Sequence, residues 1–563
     1  TQMDSYNQLQ VIPFNSKNKW MLSLYRPKNT SNPFQTSKRV LMMKGAPDVL
    51  IPHCKYILTD DGREVPFDEA AKNFISDEQI RWSSQGQRVL MLTRAILDDD
   101  VNFVEPTNEI GISSIVPNLT IIGLLGIIDP PRDQIPETIV KFKSAGIRIF
   151  MVTGDFALTA AAIARQIGIL TSDDNDDLDR LRHRPDPQFD IRVHGELKSS
   201  PDTVRSLVLT GTDINALTDE DWSKVCGYDE IVFARTTPEQ KLKIVQEFQA
   251  RDNIVGVTGD GVNDSPALKC ANIGIAMGGG SEVAMEAAHM VLLDNNFTSI
   301  VTAIESGRLV FDNLKKVILY LLPAGSFSEM VPILINAILG VPLPLSPFLM
   351  IVICVLTDMI SSLAIMCEKP ESDLLLRPPR RPKQDRLVNF KLLLHAYGFI
   401  GIQETLYAHI AYFTYMKQAG GLKPSDLLLV FDKWTDGYLG HTQAELDHLN
   451  FTGQTIFFVT LVIMQCCGNL FSTRTRKVST FTQNPAFGPT RNPYVILSII
   501  GSICISLIVV YVPFFNNVFK TRPIPLGNWF IPIGFAMLIL IVEEFRKFMI
   551  RRYPRSILAK LAW

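Results

Sequence analysis

The sequence has almost no net charge, few cysteines and none in a C-x-x-C spacing, and each shortage narrows what the protein can be. Its 55 Lys and Arg are offset by 57 Asp and Glu, so bulk charge gives no drive toward nucleic acid. Eight cysteines are scattered without a C-x-x-C spacing, which argues against a disulfide framework and for reduced, buried thiols. Cys354, Cys367, Cys466, Cys467 and Cys504 lie in or beside apolar runs; Cys54, Cys226 and Cys270 do not. No signal peptide and no initiator Met precede Thr1, so the chain is expected to be a fragment that opens inside a domain already under way.

What is present divides unevenly. The 563 residues allow several domains. Residues 1–315 read as mixed α/β with charges throughout, whereas 316–563 carry long apolar runs. A bilayer core needs roughly 20 apolar residues per helix. Six windows qualify: 317–340, 347–367, 393–416, 451–471, 493–514 and 529–547. Lys and Arg crowd the loop after the second window, the loop after the fourth and the tail, while the opposite loops hold few. By the positive-inside rule the basic side is cytoplasmic, and residues 1–315 and the carboxyl terminus with it. Buried helices of a large soluble enzyme are the bland alternative.

Acids inside the first five apolar windows are few: Glu329 in the first, Asp358 in the second, Glu404 in the third and none in the fourth and fifth. An intramembrane carboxylate is costly unless it meets a partner, water or an ion. Pro323, Gly325 and Ser328 precede Glu329, and such residues loosen a helix and free carbonyls for a cation. Glu329 and Asp358 are therefore ion-site candidates, with a helix-to-helix hydrogen bond as the competing reading. For Glu404, Gln403, His395 and His409 the structural reading is favoured.

Three segments of the soluble half suit phosphoryl transfer. Met151-Val152-Thr153-Gly154-Asp155 is a strand-like run ending in a polar turn before a helical stretch at 157–168. Thr258-Gly259-Asp260-Gly261-Val262-Asn263-Asp264-Ser265-Pro266 follows the strand-like 254–257 and leads to a helix near Pro266. Pro238-Glu239-Gln240-Lys241 opens an amphipathic helix. Strands alternating with helices predict a parallel sheet with its site at the strands' carboxyl ends. Asp260 and Asp264 can hold Mg²⁺, a hard cation. Lys241 can neutralise a phosphoryl group, and Thr153 with glycine amides can donate to its oxygens. A surface turn rich in Asp and Gly is the alternative.

These motifs, with K-G-A-P at 44–47, D-P-P-R at 129–132, F-A-R-T-T-P-E-Q-K at 233–241, T-D-M at 357–359, E-S-D at 371–373 and E-E-F-R-K-F-M-I-R-R at 543–552, resemble the P-type cation-transporting ATPases. Within that family the chain looks most like the Na⁺/K⁺-ATPase α-subunit group and its fungal relatives. The resemblance implies three domains: the carboxyl-terminal part of an α+β nucleotide-binding domain over 1–118, a haloacid dehalogenase-like phosphorylation domain with a Rossmannoid parallel sheet over 119–315, and a six-helix transmembrane bundle over 316–563. It implies ATP as substrate, Mg²⁺ as cofactor, and transport of Na⁺, K⁺ or H⁺ through an aspartyl-phosphate at the plasma membrane. It assigns Phe14 to stack on adenine, Lys19, Lys44 and Gly45 to line the pocket, and Arg88 to the phosphates. Asp129, Arg132 and Arg235 would bridge the nucleotide and phosphorylation domains. Thr153, Gly154, Asp155, Lys241, Asn263 and Asp264 would surround the acyl phosphate, with Asp260 and Asp264 on the metal. Glu329, Asp358 and Gln465 would face the ion.

The pattern also breaks. The family's D-K-T-G-T phosphoacceptor and T-G-E-S loop occur nowhere, so this chain alone is expected to turn over no ATP. A truncated, non-catalytic nucleotide-binding membrane protein is the competing reading. A dehalogenase-type phosphatase on an anchor and a lipid flippase explain the intramembrane acids less well. Cys354 stands where a first aspartate is expected and Gly468 replaces an acidic position. The fifth window lacks a glutamate, and one extra residue precedes Glu329, so fewer cations are expected than in the Na⁺/K⁺ pattern. The loop 417–450 has no clear match to the segment that grips a β-subunit, which makes that partner doubtful.

Overall fold

Side-chain alternation builds the first sheet. In β2 (Trp20–Pro27) the positions Trp20, Leu22 and Leu24 are buried, and in β3 (Arg39–Gly45) Leu41 and Met43. Period-2 spacing sends these to one face, where Ile75 of helix Glu69–Ser84 and Met91 close the core. With β1 (Tyr6–Ile12), β4 (Cys54–Leu58), β5 (Glu64–Pro66), β6 (Arg88–Leu97) and β7 (Leu119–Ile127), they form a seven-stranded sheet in the order β1-β2-β3-β6-β7-β4-β5. All its pairings are antiparallel except β4 with β7. The sheet thus extends past 118, the boundary expected from sequence. The β-rich run 119–127 belongs to it, and the chain leaves only at the turn after Ile127.

The structure is a computed structural model that describes residues 6–14, 19–28, 38–97, 118–172, 174–183, 206–381 and 385–563. It divides into two compact units, 1–302 and 303–563.

The rest of the first unit is parallel, as the alternating pattern predicts. β8 (Phe150–Val152) and β9 (Ser206–Thr210) flank β10 (Glu230–Ala234), which is buried at every position. β11 (Gly256–Gly259), β12 (Ile273–Met277) and β13 (Met290–Leu292) form a second three-stranded sheet. Helix Pro238–Ala250 connects the two. Thr237 caps it, Gln240 completes the capping box and Pro238 sits at its first position, three signals that start a helix sharply. Its Ile244 and Phe248 pack on β9 and β10 with Phe150 and Val152, and its Val245 on Val255 and Val257. Among the described residues β8 and β11 each have an edge with no paired strand, and β11 exposes Gly256 and Thr258. Three boundaries differ slightly from the sequence reading. The first helix is Ala157–Gln166, β11 starts two residues late, and a tight turn at Val262–Asp264 precedes helix Ser265–Cys270.

The second unit is helical. Five helices among the described residues are long and apolar enough to cross a membrane: Ser299–Leu339, Pro347–Met366, Gln443–Thr473, Pro493–Tyr511 and Gly527–Arg552. The remaining predicted window is helical from Phe390 to Gly420. Its polar Gln403, Glu404 and His409 dilute its hydropathy, so it is not one of the five. Four helices carry a widened π turn, at Pro323–Ser328, Val352–Thr357, Ala396–Gly401 and Gln465–Asn469. The core of the unit is the helix Gln443–Thr473, most of which is buried. Near its end Arg474 makes a two-point ion pair with Glu368 (2.7 and 3.0 Å), both side chains fully buried. Glu371 and Asp373 of E-S-D are bound by Lys316 and Arg377.

Candidate functional site

At the carboxyl ends of the parallel strands the predicted phosphate residues gather. Lys241, in the first turn of its helix, places Nζ 2.6 Å from Asp264 Oδ1. Asp264 Oδ2 accepts from the Gly261 amide at 3.3 Å. Gly259 makes room for this carboxylate, because a Cβ there would lie 2.6 Å from Asp264 Cβ. Asp260 is exposed beside them, and its carbonyl accepts from the Ser281 amide at 2.8 Å. Asn263 is exposed in the tight turn between the two aspartates.

The M-V-T-G-D turn joins through β10. The Thr153 carbonyl accepts from the Thr236 amide and hydroxyl, both at 3.0 Å, one residue before the cap of the lysine-bearing helix. The Thr153 hydroxyl accepts from the Asp155 amide at 3.2 Å, and Gly154 is exposed at the tip. An exposed carboxylate and a second one already half-neutralised by Lys241 make a set of oxygen donors. That set fits Mg²⁺, which binds through one or two carboxylates plus phosphate oxygens and waters.

The nucleotide residues fall into three groups. Lys19 and Gly45 meet where β2 and β3 pair: the Lys19 carbonyl receives the Ala46 amide at 3.1 Å. Arg235 pairs with Asp48, and its charge, after burial, holds the Lys19 ammonium below its usual pKa. Arg88 grips Asp155 from β6 with both oxygens, at 2.7 and 2.8 Å. Phe14 is 62% exposed, free to receive a flat ligand; Lys44 and Asp129 are also exposed. Arg132 instead donates to the Asn295 carbonyl at 2.8 Å, on the loop after β13. Residues 15–18 of the Phe14–Lys19 segment lie outside the described residues. Asp48 was not anticipated. Its partner is 187 positions away, and no local pattern reveals such a pairing.

In the helical unit Glu329 and Asp358 each follow a π turn directly, and Gln465 opens another. Cys354 Sγ donates between both Glu329 oxygens at 3.3 Å. The residue that looked like a lost carboxylate therefore becomes a partner of the remaining one. Asp358 is 1% exposed; Tyr320 OH points at its Oδ1 from 3.5 Å, and Oδ2 has no partner. Gln403 and His409 bond to carbonyls of their own helix, and His395 lies 2.9 Å from Glu543, the structural roles expected.

Three family models match in order along the chain. Residues 2–134 match the P-type ATPase cytoplasmic domain N, which takes in β7. Residues 240–304 match the haloacid dehalogenase-like hydrolases, and 342–549 match the carboxyl terminus of the cation transporting ATPases. The dehalogenase-like match starts at Gln240, immediately before the lysine that grips Asp264. Multi-pass helices and a phosphate-suited parallel sheet thus occur in one polypeptide, and the chain belongs to the P-type cation-transporting ATPases.

Proposed function

We propose that this chain is the nucleotide-handling and ion-conducting part of a monovalent-cation pump of the Na⁺/K⁺ type, with its soluble unit and carboxyl terminus in the cytoplasm and its helices in the plasma membrane. The observation that carries the reading is the Lys241–Asp264 pair at the carboxyl ends of the parallel strands. ATP binds along the seven-stranded sheet with adenine on Phe14, Lys19 and Lys44 lining the pocket, and its phosphates toward Arg88. Arg235 and Asp48 tie that face to the turn bearing Asp155. The acceptor carboxylate comes from a segment carrying D-K-T-G-T, a motif this chain lacks. Its strand enters between β8 and β11. An open strand edge is a template for pairing with a further strand, and both open edges rest on the same helix.

Asp260 and Asp264 would hold Mg²⁺, which supplies charge neutralisation at the phosphoryl oxygens. Lys241 adds an ammonium to the same oxygens, and the Thr153 hydroxyl and the turn amides orient them. Glu329, Asp358 and Gln465 bind the cation. Without the acceptor the chain binds nucleotide and does not turn it over. The test is phosphorylation of the full-length protein by labelled ATP. A hydroxylamine-sensitive phosphoenzyme is expected there and none from residues 1–563 alone. Turnover by this chain by itself would overturn the assignment, as would its absence from the full-length protein.

A further inference from the structure

The reading above leaves one buried acid without a task. Glu404 is fully buried in the helix 390–420. Its Oε2 accepts from Gln465 Nε2 at 3.0 Å and lies 3.5 Å from the Ser328 hydroxyl, so two other helices hold it. Its Oε1 has no hydrogen-bond partner among the described residues. Asp358 Oδ2 is likewise buried and unpartnered, and the two carboxylates lie within Coulombic reach of each other. No Lys, Arg or His pairs with Glu329, Asp358 or Glu404 among the described residues. Buried carboxylates with free oxygens and no basic partner are expensive, and a cation removes that cost.

The backbone points the same way. The π turn of the Glu404 helix packs against that of the Glu329 helix, with Phe327 stacked on Tyr397 at 5.6 Å. A Cβ on Gly401 would lie 2.9 Å from the Phe327 ring, so the glycine sets this close approach. Pro493–Tyr511 and Gly527–Arg552, which have no such turn, carry none of these polar groups. π turns recur at functional positions. Among the described residues no three His, Cys, Asp or Glu side chains converge as a metal cage would need, so the ligand set is a mixed one of carboxylate, hydroxyl and amide oxygens.

We propose that Glu404 is a third cation-binding carboxylate of this pump, its free oxygen and that of Asp358 bordering one cation position that Gln465 and Ser328 organise. Glu329 and Cys354 border a neighbouring one. The proposal rests on the pump reading, and the experiment separates the two.

In the full-length pump, Glu404→Gln and Asp358→Asn are compared with the parent for activation of phosphorylation by Na⁺, K⁺ and, as pH, H⁺. Phosphorylation by inorganic phosphate serves as the control for an intact catalytic unit. Removing a charged ligand is expected to raise the half-activating cation concentration by about tenfold or more. In Glu404→Gln this should come with a lower Hill coefficient, while a phosphoenzyme still forms from phosphate. Unchanged activation in Glu404→Gln with loss in Asp358→Asn overturns the role of Glu404 and leaves the pump reading intact; no change in either overturns both. If Glu404→Gln does not accumulate, labelling of the parent with dicyclohexylcarbodiimide decides. Protection of Glu404 by the activating cation supports the proposal, and labelling indifferent to it overturns the proposal.

Discussion

Replacing Lys241 tests what its ammonium is for. Its side chain and that of Asp264 are only 18% and 17% exposed, so water screens the pair poorly. An ammonium has three donors; one points at Asp264, which leaves two for phosphoryl oxygens. A hydrogen bond to a charged group contributes about 1.5–3 kcal/mol. Losing two such bonds, strongest when charge develops in the transition state, slows phosphoryl transfer by about 10²–10⁴-fold. Lys241→Ala in the full-length pump should show this in rapid-quench measurements of phosphoenzyme formation from ATP. Lys241→Arg keeps the charge in a rigid fork and should fall between. The double variant Lys241→Ala with Asp264→Asn should be slower still, because Asp264 is also a proposed Mg²⁺ ligand. A double variant faster than Lys241→Ala would refute this reasoning, because Lys241 would then serve only to neutralise Asp264. A loss below about threefold in Lys241→Ala would refute it too.

Two further outcomes follow from other charges. Arg474→Leu strands the fully buried Glu368 carboxylate and should cost about 3–5 kcal/mol, seen as a large fall in the melting temperature of the detergent-solubilised protein; Arg474→Leu combined with Glu368→Leu should recover most of it. The Lys19 ammonium, lowered by burial and by Arg235, carries a larger neutral fraction at mildly alkaline pH. An amine-specific reagent should therefore label it ahead of most exposed lysines, with ATP slowing the labelling.

Much of this architecture is legible in the sequence because its signals are local. Thr237, Pro238 and Gln240 announce a helix start that the structure keeps, and the run from Thr258 to Pro266 fixes a turn in which Gly259 has a steric reason. The long apolar windows give helices at every expected place. What the sequence hides is non-local or lacks a period. The Arg235–Asp48 pair joins residues far apart in the chain. β7 pairs in parallel with β4 but antiparallel with β6, and alternation within one strand cannot reveal such neighbours. Glu404 reads as a helix-packing acid until Gln465 and Ser328 are seen around it. The extra residue before Glu329 reads as a misfit. A π turn holds one residue more than an α turn, and the turn at Pro323–Ser328 accommodates it.

That widened coil has a mechanical consequence. One residue of an α-helix subtends about 100°, so tightening Pro323–Ser328 to ordinary pitch would swing everything beyond it around the axis by roughly that angle. Glu329 would then leave Cys354 without breaking any covalent geometry. The same screw motion is available to Asp358 and to Gln465, each at the border of its own coil. A short rotation along the rod, with no sliding of whole helices, is thus enough to turn the Glu329 carboxylate to another side of its helix.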